Sequence, residues 1–145
     1  MFKHILLPTD GSKLSEKSVK HGIRMAKQLG AAVTAVHVTP KMHVYDYQLQ
    51  MLTSSDESMR DSDDRRADDC LRFVKKAAAG ADVPCGTLHL VSDQPYKAIV
   101  KAAKKHACDL ILMASHGRRG LEGFLLGSET QKVLTHSTIP VLVYR

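Results

Sequence analysis

The residues best suited to chemistry lie in two stretches, Ala114-Ser115-His116-Gly117 and, nine residues after Gly117, Gly127-Ser128. The first follows an apolar run, Asp109 to Met113, that reads as a buried strand. The second opens Ser128 to Leu134, which reads as the first turns of a helix. A strand that passes through a glycine-bearing loop into a helix N-terminus presents backbone N–H groups to an anion such as phosphate. Another polar turn, Thr9-Asp10-Gly11, follows the apolar run His4 to Pro8. Taken alone, each piece is an ordinary turn and helix cap. Their occurrence together, each after a strand pattern, is what points to a nucleotide.

The elements that must position them alternate along the chain. His4 to Pro8 reads as a short strand, and Ser12 or Ser15 can cap a helix whose Val19, Ile23, Ala26 and Leu29 recur at helical spacing. Gly30 closes that helix, and the β-branched run Ala32 to Val38 makes a second strand. Residues 39–55 show no period and read as a long loop. A helix is expected from about Asp56 to Ala79, closed by Gly80, then a strand at Cys85 to Val91. Pro95 opens a third helix with Ile99, Ala102 and Ala103 facing inward. Asp109 to Ala114 is the fourth strand, Ser128-x-x-Gln131 fits a capping box, and Ile139 to Tyr144 is a terminal strand. The predicted fold is α/β: an open, Rossmann-like sheet of five parallel strands in the order 3-2-1-4-5, with two helices on each face, forming one domain over residues 1–145.

Composition limits the function classes. The 145 residues carry a net charge of +6, from 21 Lys and Arg against 15 Asp and Glu, but the cations are scattered. With no Trp, three Phe and four Tyr there is little for bases to stack on, which argues against nucleic acid. No run is long enough to span a bilayer, and the opening residues lack the apolar core and cleavage site of a secretory signal. Cys70, Cys85 and Cys108 form no Cys-x-x-Cys pair, so reduced thiols and a cytoplasmic location are expected. The histidines are dispersed without zinc-site spacing. Asp61, Asp63, Asp64, Asp68 and Asp69 lack calcium-loop spacing and read as the solvated face of a helix that is acidic at its start.

In an open α/β sheet, ligands bind beyond the carboxyl ends of the strands where the strand order reverses. The expected order puts that crevice between strands one and four, and there the Asp10 turn meets the Ala114–Gly117 loop. At this point the chain resembles a known family. The Pro8-Thr9-Asp10-Gly11-Ser12 opening, the Met113 to Gly117 loop, the Leu126-Gly127-Ser128 turn and the Pro140 to Val143 ending are similar, in order and separation, to the universal stress proteins. Nucleotide-binding members of that family carry Gly-x-x-Gly-x9-Gly-Ser/Thr. Gly117, Gly127 and Ser128 match it, and Ala114 stands at the first glycine.

The resemblance implies a site for ATP, with Mg²⁺ or Mn²⁺ on its phosphates. Asp10, at the end of Pro8-Thr9, would face ribose or adenine, and backbone near Val38 would meet the adenine. Met113, Ala114, His116, Gly117, Gly127, Ser128, Glu129 and Thr130 would surround ribose and phosphates. Arg118 and Arg119 either add charge to this loop or are simply solvated. His116 has no carboxylate at fixed spacing to orient it as a base, so an enzyme is not expected beyond weak ATPase activity.

Walker, dinucleotide-binding and phosphoacceptor patterns are absent. Two readings remain: an adenine-nucleotide-binding sensor or regulator in the stress response, and a dimeric interaction module of the same family that binds no nucleotide. Retained Gly117, Gly127 and Ser128 favour the first, Ala114 the second. The apolar terminal strand Val141 to Tyr144 would lie at a sheet edge and pair with its copy in a homodimer, as the resemblance also implies.

Overall fold

The computed structural model describes residues 1–41, 56–118 and 125–145. They form β1 (His4–Pro8), α1 (Lys13–Leu29), β2 (Ala32–Thr39), α2 (Asp56–Gly80), β3 (Cys85–Val91), α3 (Pro95–Lys105), β4 (Leu110–Ala114), α4 (Ser128–His136) and β5 (Val141–Tyr144). The five strands pair in parallel in the order β3-β2-β1-β4-β5, as the alternation of elements predicts. The long loop expected at 39–55 lies outside the described residues, apart from Thr39, the last residue of β2, and residues 40–41.

Strand alternation divides the core in two. Ile5 and Leu7 of β1, with Leu110 and Leu112 of β4, pack against Val19, Ile23 and Ala26 of α1 and Leu71, Val74 and Ala78 of α2. On the opposite face Leu6, Val36, Ile111 and Met113 pack against Ile99, Val100 and Ala103 of α3 and Val133 of α4. Two helices therefore cover each face. β1 and β4 are buried throughout their central residues, whereas the edge strands β3 and β5 are half exposed. No helix among the described residues is long and apolar enough to cross a membrane.

The element boundaries have local reasons, and some of them differ from expectation. α1 takes Ser12 as its N-cap, with the Ser15 N–H donating to Ser12 Oγ at 3.2 Å, and ends at Gly30 in the left-handed conformation. α2 includes Gly80, and the left-handed residue beyond it is Asp82, at φ 55°. β4 begins at Leu110 because Asp109 does another job: its carboxylate accepts the Lys3 and His4 N–H groups at 2.8 and 3.0 Å. β5 begins at Val141, since Pro140 has no N–H and the Ser137 hydroxyl takes both backbone groups of Ile139. The capping box at Ser128 does not form. Gly127 is the N-cap and Ser128 is one position inside the helix, so Gln131 Nε2 donates instead to the Leu126 carbonyl at 3.3 Å.

Candidate functional site

The turn after β1 is built from short polar side chains. The Thr9 N–H continues the sheet ladder to the Val36 carbonyl at 2.9 Å. Thr9 Oγ1 accepts the Ser15 hydroxyl at 2.9 Å and the Gly11 N–H at 3.3 Å, while Ser15 Oγ accepts the Asp10 N–H at 3.3 Å. The Thr9 carbonyl lies 2.8 Å from His37 Nδ1. A carbonyl can only accept, so that nitrogen carries the proton. Burial of His37 is the main cause holding its pKa below the ordinary histidine range, which favours a neutral ring. Gly11 turns the chain with φ at +78°, and a Cβ there would stand 2.7 Å from Cys70 Sγ of α2. Cys70, Cys85 and Cys108 are free thiols, and burial raises the pKa of each, that of Cys108 to about 11.

The loop after β4 is strapped to α4. The Ser115 N–H donates to the Tyr144 carbonyl, and the Ser115 carbonyl accepts the Gly127 N–H, both at 2.7 Å. Buried Thr130 donates its hydroxyl to the Ala114 carbonyl at 3.0 Å. A Cβ on Gly127 would meet His116 Cα at 3.1 Å and the Ser115 carbonyl at 3.3 Å, so a residue without a side chain is what lets α4 start this close to the loop. α4 has no side-chain cap, so its first turn faces the crevice with backbone donors and the positive end of the dipole. His116 Nδ1 lies 3.2 Å from Ser115 Oγ.

The two turns meet through Asp10. Its Oδ1 accepts the Ser12 N–H at 3.0 Å and its Oδ2 accepts the Arg118 N–H at 2.8 Å. Gly117 passes so close that a Cβ on it would overlap Asp10 Oδ2. Beside this junction lies a cavity of about 410 Å³, with Asp10 and Arg118 on one side and Arg65, Arg66 and Cys70 of α2 on the other. Sequence reasoning missed α2 here. The readable signal was the burial phase of Ala67, Cys70, Val74 and Ala78, which turns Cys70 inward and leaves Arg65 and Arg66 exposed at the cavity rim.

The expected site residues divide between the two faces of the sheet. Pro8 and Thr9 are buried at the end of β1, and Asp10 is the junction itself. Met113 is buried, and half-buried Val38 packs, on the α3–α4 side. Ala114, next along β4, points the other way by alternation. It pairs with Tyr144 as an extended strand residue, outside the positive-φ region, and is buried. Gly117 and Ser128 are exposed at the crevice. Glu129 turns aside: its carboxylate accepts the Tyr96 N–H at 2.9 Å and holds Lys132 at 3.1 Å. Glu129 thus caps α3, whose own N-cap Gln94 makes no side-chain cap bond.

The profile of the universal stress protein family matches residues 1–145. Universal stress protein MJ0531 of Methanocaldococcus jannaschii is 34% identical over 145 residues, covering 100% of this chain and 83% of that protein. The solved structure of MJ0577 from the same organism is 28% identical, covers 99% of this chain and 96% of its own, and superposes with a TM-score of 0.77. A universal stress protein from Archaeoglobus fulgidus, solved in complex with dAMP, shares the fold at 18% identity, with a TM-score of 0.68 and coverage of 100% and 98%. This chain belongs to the universal stress protein family.

Proposed function

We propose that the crevice between β1 and β4 binds an adenine nucleotide, with ATP as the ligand, and that the protein is a nucleotide-responsive regulator or sensor of the cytoplasmic stress response. One observation carries this reading: an uncapped helix start, Gly127-Ser128, pressed without a side chain against the loop after β4. The phosphates would take the N–H groups of Ser128 and Glu129, the Ser128 hydroxyl and the exposed backbone at Gly117. Asp10 would reach the ribose with the acceptor lone pairs left over from Ser12 and Arg118. The Archaeoglobus fulgidus relative solved with dAMP supports an adenine ligand.

Hydrolysis would be very slow at most. Phosphoryl transfer needs a positioned water and metal, and His116 is engaged with Ser115, with no carboxylate bonded to it among the described residues. Among the described residues no group of three or more His, Cys, Asp or Glu is placed to hold a metal. Mg²⁺ or Mn²⁺ would arrive on the phosphates.

Titration with a fluorescent ATP analogue tests the reading. Saturable binding is expected, and Gly127→Val will weaken it by about tenfold or more, because its side chain needs the space of His116 Cα. No saturation at millimolar nucleotide would sink the proposal.

The competing reading, a module that binds no nucleotide, rests on Ala114. Its extended conformation removes the conformational reason for glycine at that position. Ala114→Gly is expected to change ATP affinity by less than about threefold, while lowering stability by about 0.5–1 kcal/mol in urea melts. A large gain in affinity would show that the methyl group obstructs the site.

We also propose a homodimer through β5. This four-residue edge strand is apolar and half exposed, with Leu142 at 37%, and an unpaired edge of this kind invites a second copy. Light scattering at micromolar concentration is expected to give twice the chain mass, and a monomeric mass would refute it.

A further inference from the structure

On the face of the sheet away from the Asp10 cavity, α3 and α4 leave a groove of about 270 Å³ lined by Tyr96, Lys97, Val100, Lys101, Lys104 and His136. No carboxylate lines it. We propose that this groove is a docking surface for an acidic, amphipathic segment of a partner protein.

Three observations converge on that occupant. The first is charge. α3, with the sequence PYKAIVKAAKK, carries four lysines and no acid, a large share of the excess behind the chain's net +6. Lys97, Lys101 and Lys104 recur at helical spacing along the groove, and all three are exposed. Carboxylates one turn apart on a partner helix would meet them in register.

The second is shape. The floor is apolar, made by Val100 and the Tyr96 ring, and takes a buried aliphatic side chain in the manner of a helix laid in a groove. The third is the state of Tyr96. Its ring lies 4.9 Å from the His136 ring, with the Lys132 and Lys97 ammonium groups 5.6 and 5.9 Å from its centroid. Tyr96 is thus an anchor with cations beside it, of which Lys132 is paired with Glu129 and Lys97 lines the groove.

The same features disfavour other anions. A ring already flanked by His136 and two ammonium groups is a poor platform for stacking a base. A membrane-binding face needs apolar side chains that project. The large exposed ones, Met1, Val91, Leu125, Leu134 and Leu142, do not line the groove.

The test uses the full chain and a fluorescein-labelled synthetic peptide of leucine and glutamate, about sixteen residues long and amphipathic as a helix. Saturable binding by anisotropy is expected, weakening as salt rises. Backbone amide shifts should concentrate at Tyr96, Lys97, Val100 and His136. The double variant Lys101→Glu/Lys104→Glu changes only exposed positions and should keep the fold, with binding weakened about tenfold or more. Four results would each overturn the proposal: no saturable binding at millimolar peptide, equal binding by the charge-reversed variant, equal binding of a scrambled peptide of the same composition, or tighter binding of single-stranded oligonucleotide or phosphatidylserine vesicles than of the peptide.

Discussion

Gly11→Ala is expected to destabilise the fold by about 2–5 kcal/mol, from two separable sources. At φ +78° an L-residue bears a left-handed penalty of about 1–2 kcal/mol. Its Cβ also falls 2.7 Å from Cys70 Sγ, a buried neighbour on α2, and overpacking of that kind costs about 1–3 kcal/mol. Urea midpoints measure the sum. Adding Cys70→Ala removes the crowding and leaves the backbone penalty, so the double variant should be more stable than the sum of the two single changes predicts. Strict additivity of the two changes would mean that Gly11 and Cys70 are not coupled.

The second large effect falls on binding. In Gly117→Ala the new methyl group lands on Asp10 Oδ2. That oxygen ends a side chain that can rotate away, so the stability cost stays near 1 kcal/mol, the scale of one exposed hydrogen bond. What is lost is the bond from the Arg118 N–H to Asp10 that joins the two halves of the crevice. ATP affinity is therefore expected to fall by about tenfold or more, measured by calorimetric titration. Asp10→Asn offers a graded comparison. An amide has one acceptor oxygen, which cannot serve the Ser12 and Arg118 donors with the geometry of a carboxylate, so its affinity should lie between those of the parent and Gly117→Ala. Unchanged affinity in Gly117→Ala would show that the junction does not shape the site.

Strand order, helix faces and the convergence of two turns were legible in the sequence because each depends on local periodicity or on a topological rule. The spacing of Val19, Ile23 and Ala26 already states which side of α1 is buried. The contribution of α2 was not legible in the same way. Its mixture of aspartates and arginines has the composition of a solvated face, and several of these side chains do form exposed pairs, such as Arg66 with Asp63 at 3.7 Å. The packing of Cys70 beneath Gly11, with Leu71 and Val74 in the core, brings that helix to the cavity. The place of the Glu129 carboxylate was not legible for a related reason. Its N–H belongs to the helix start, but its carboxylate is captured by Tyr96, 33 residues earlier, through the packing of α3 on α4. The alanine at position 114 was judged on its backbone, and there the strand pattern sufficed.

The central place of β1 has a consequence for how the chain is made. β1 pairs with β2 from His4 and Ala32 onward, so that ladder needs only a short stretch of chain. Its other neighbour starts at Leu110, and the bond between Asp10 and Arg118 spans 108 residues. Contacts so distant in sequence form late and slowly. Until the fourth strand leaves the ribosome, the nascent chain must carry one edge of the apolar β1 unpaired, a template for the wrong partner. The crevice cannot exist at that stage. The crevice therefore takes its shape only after Arg118 has been made, when this vulnerable edge is also covered.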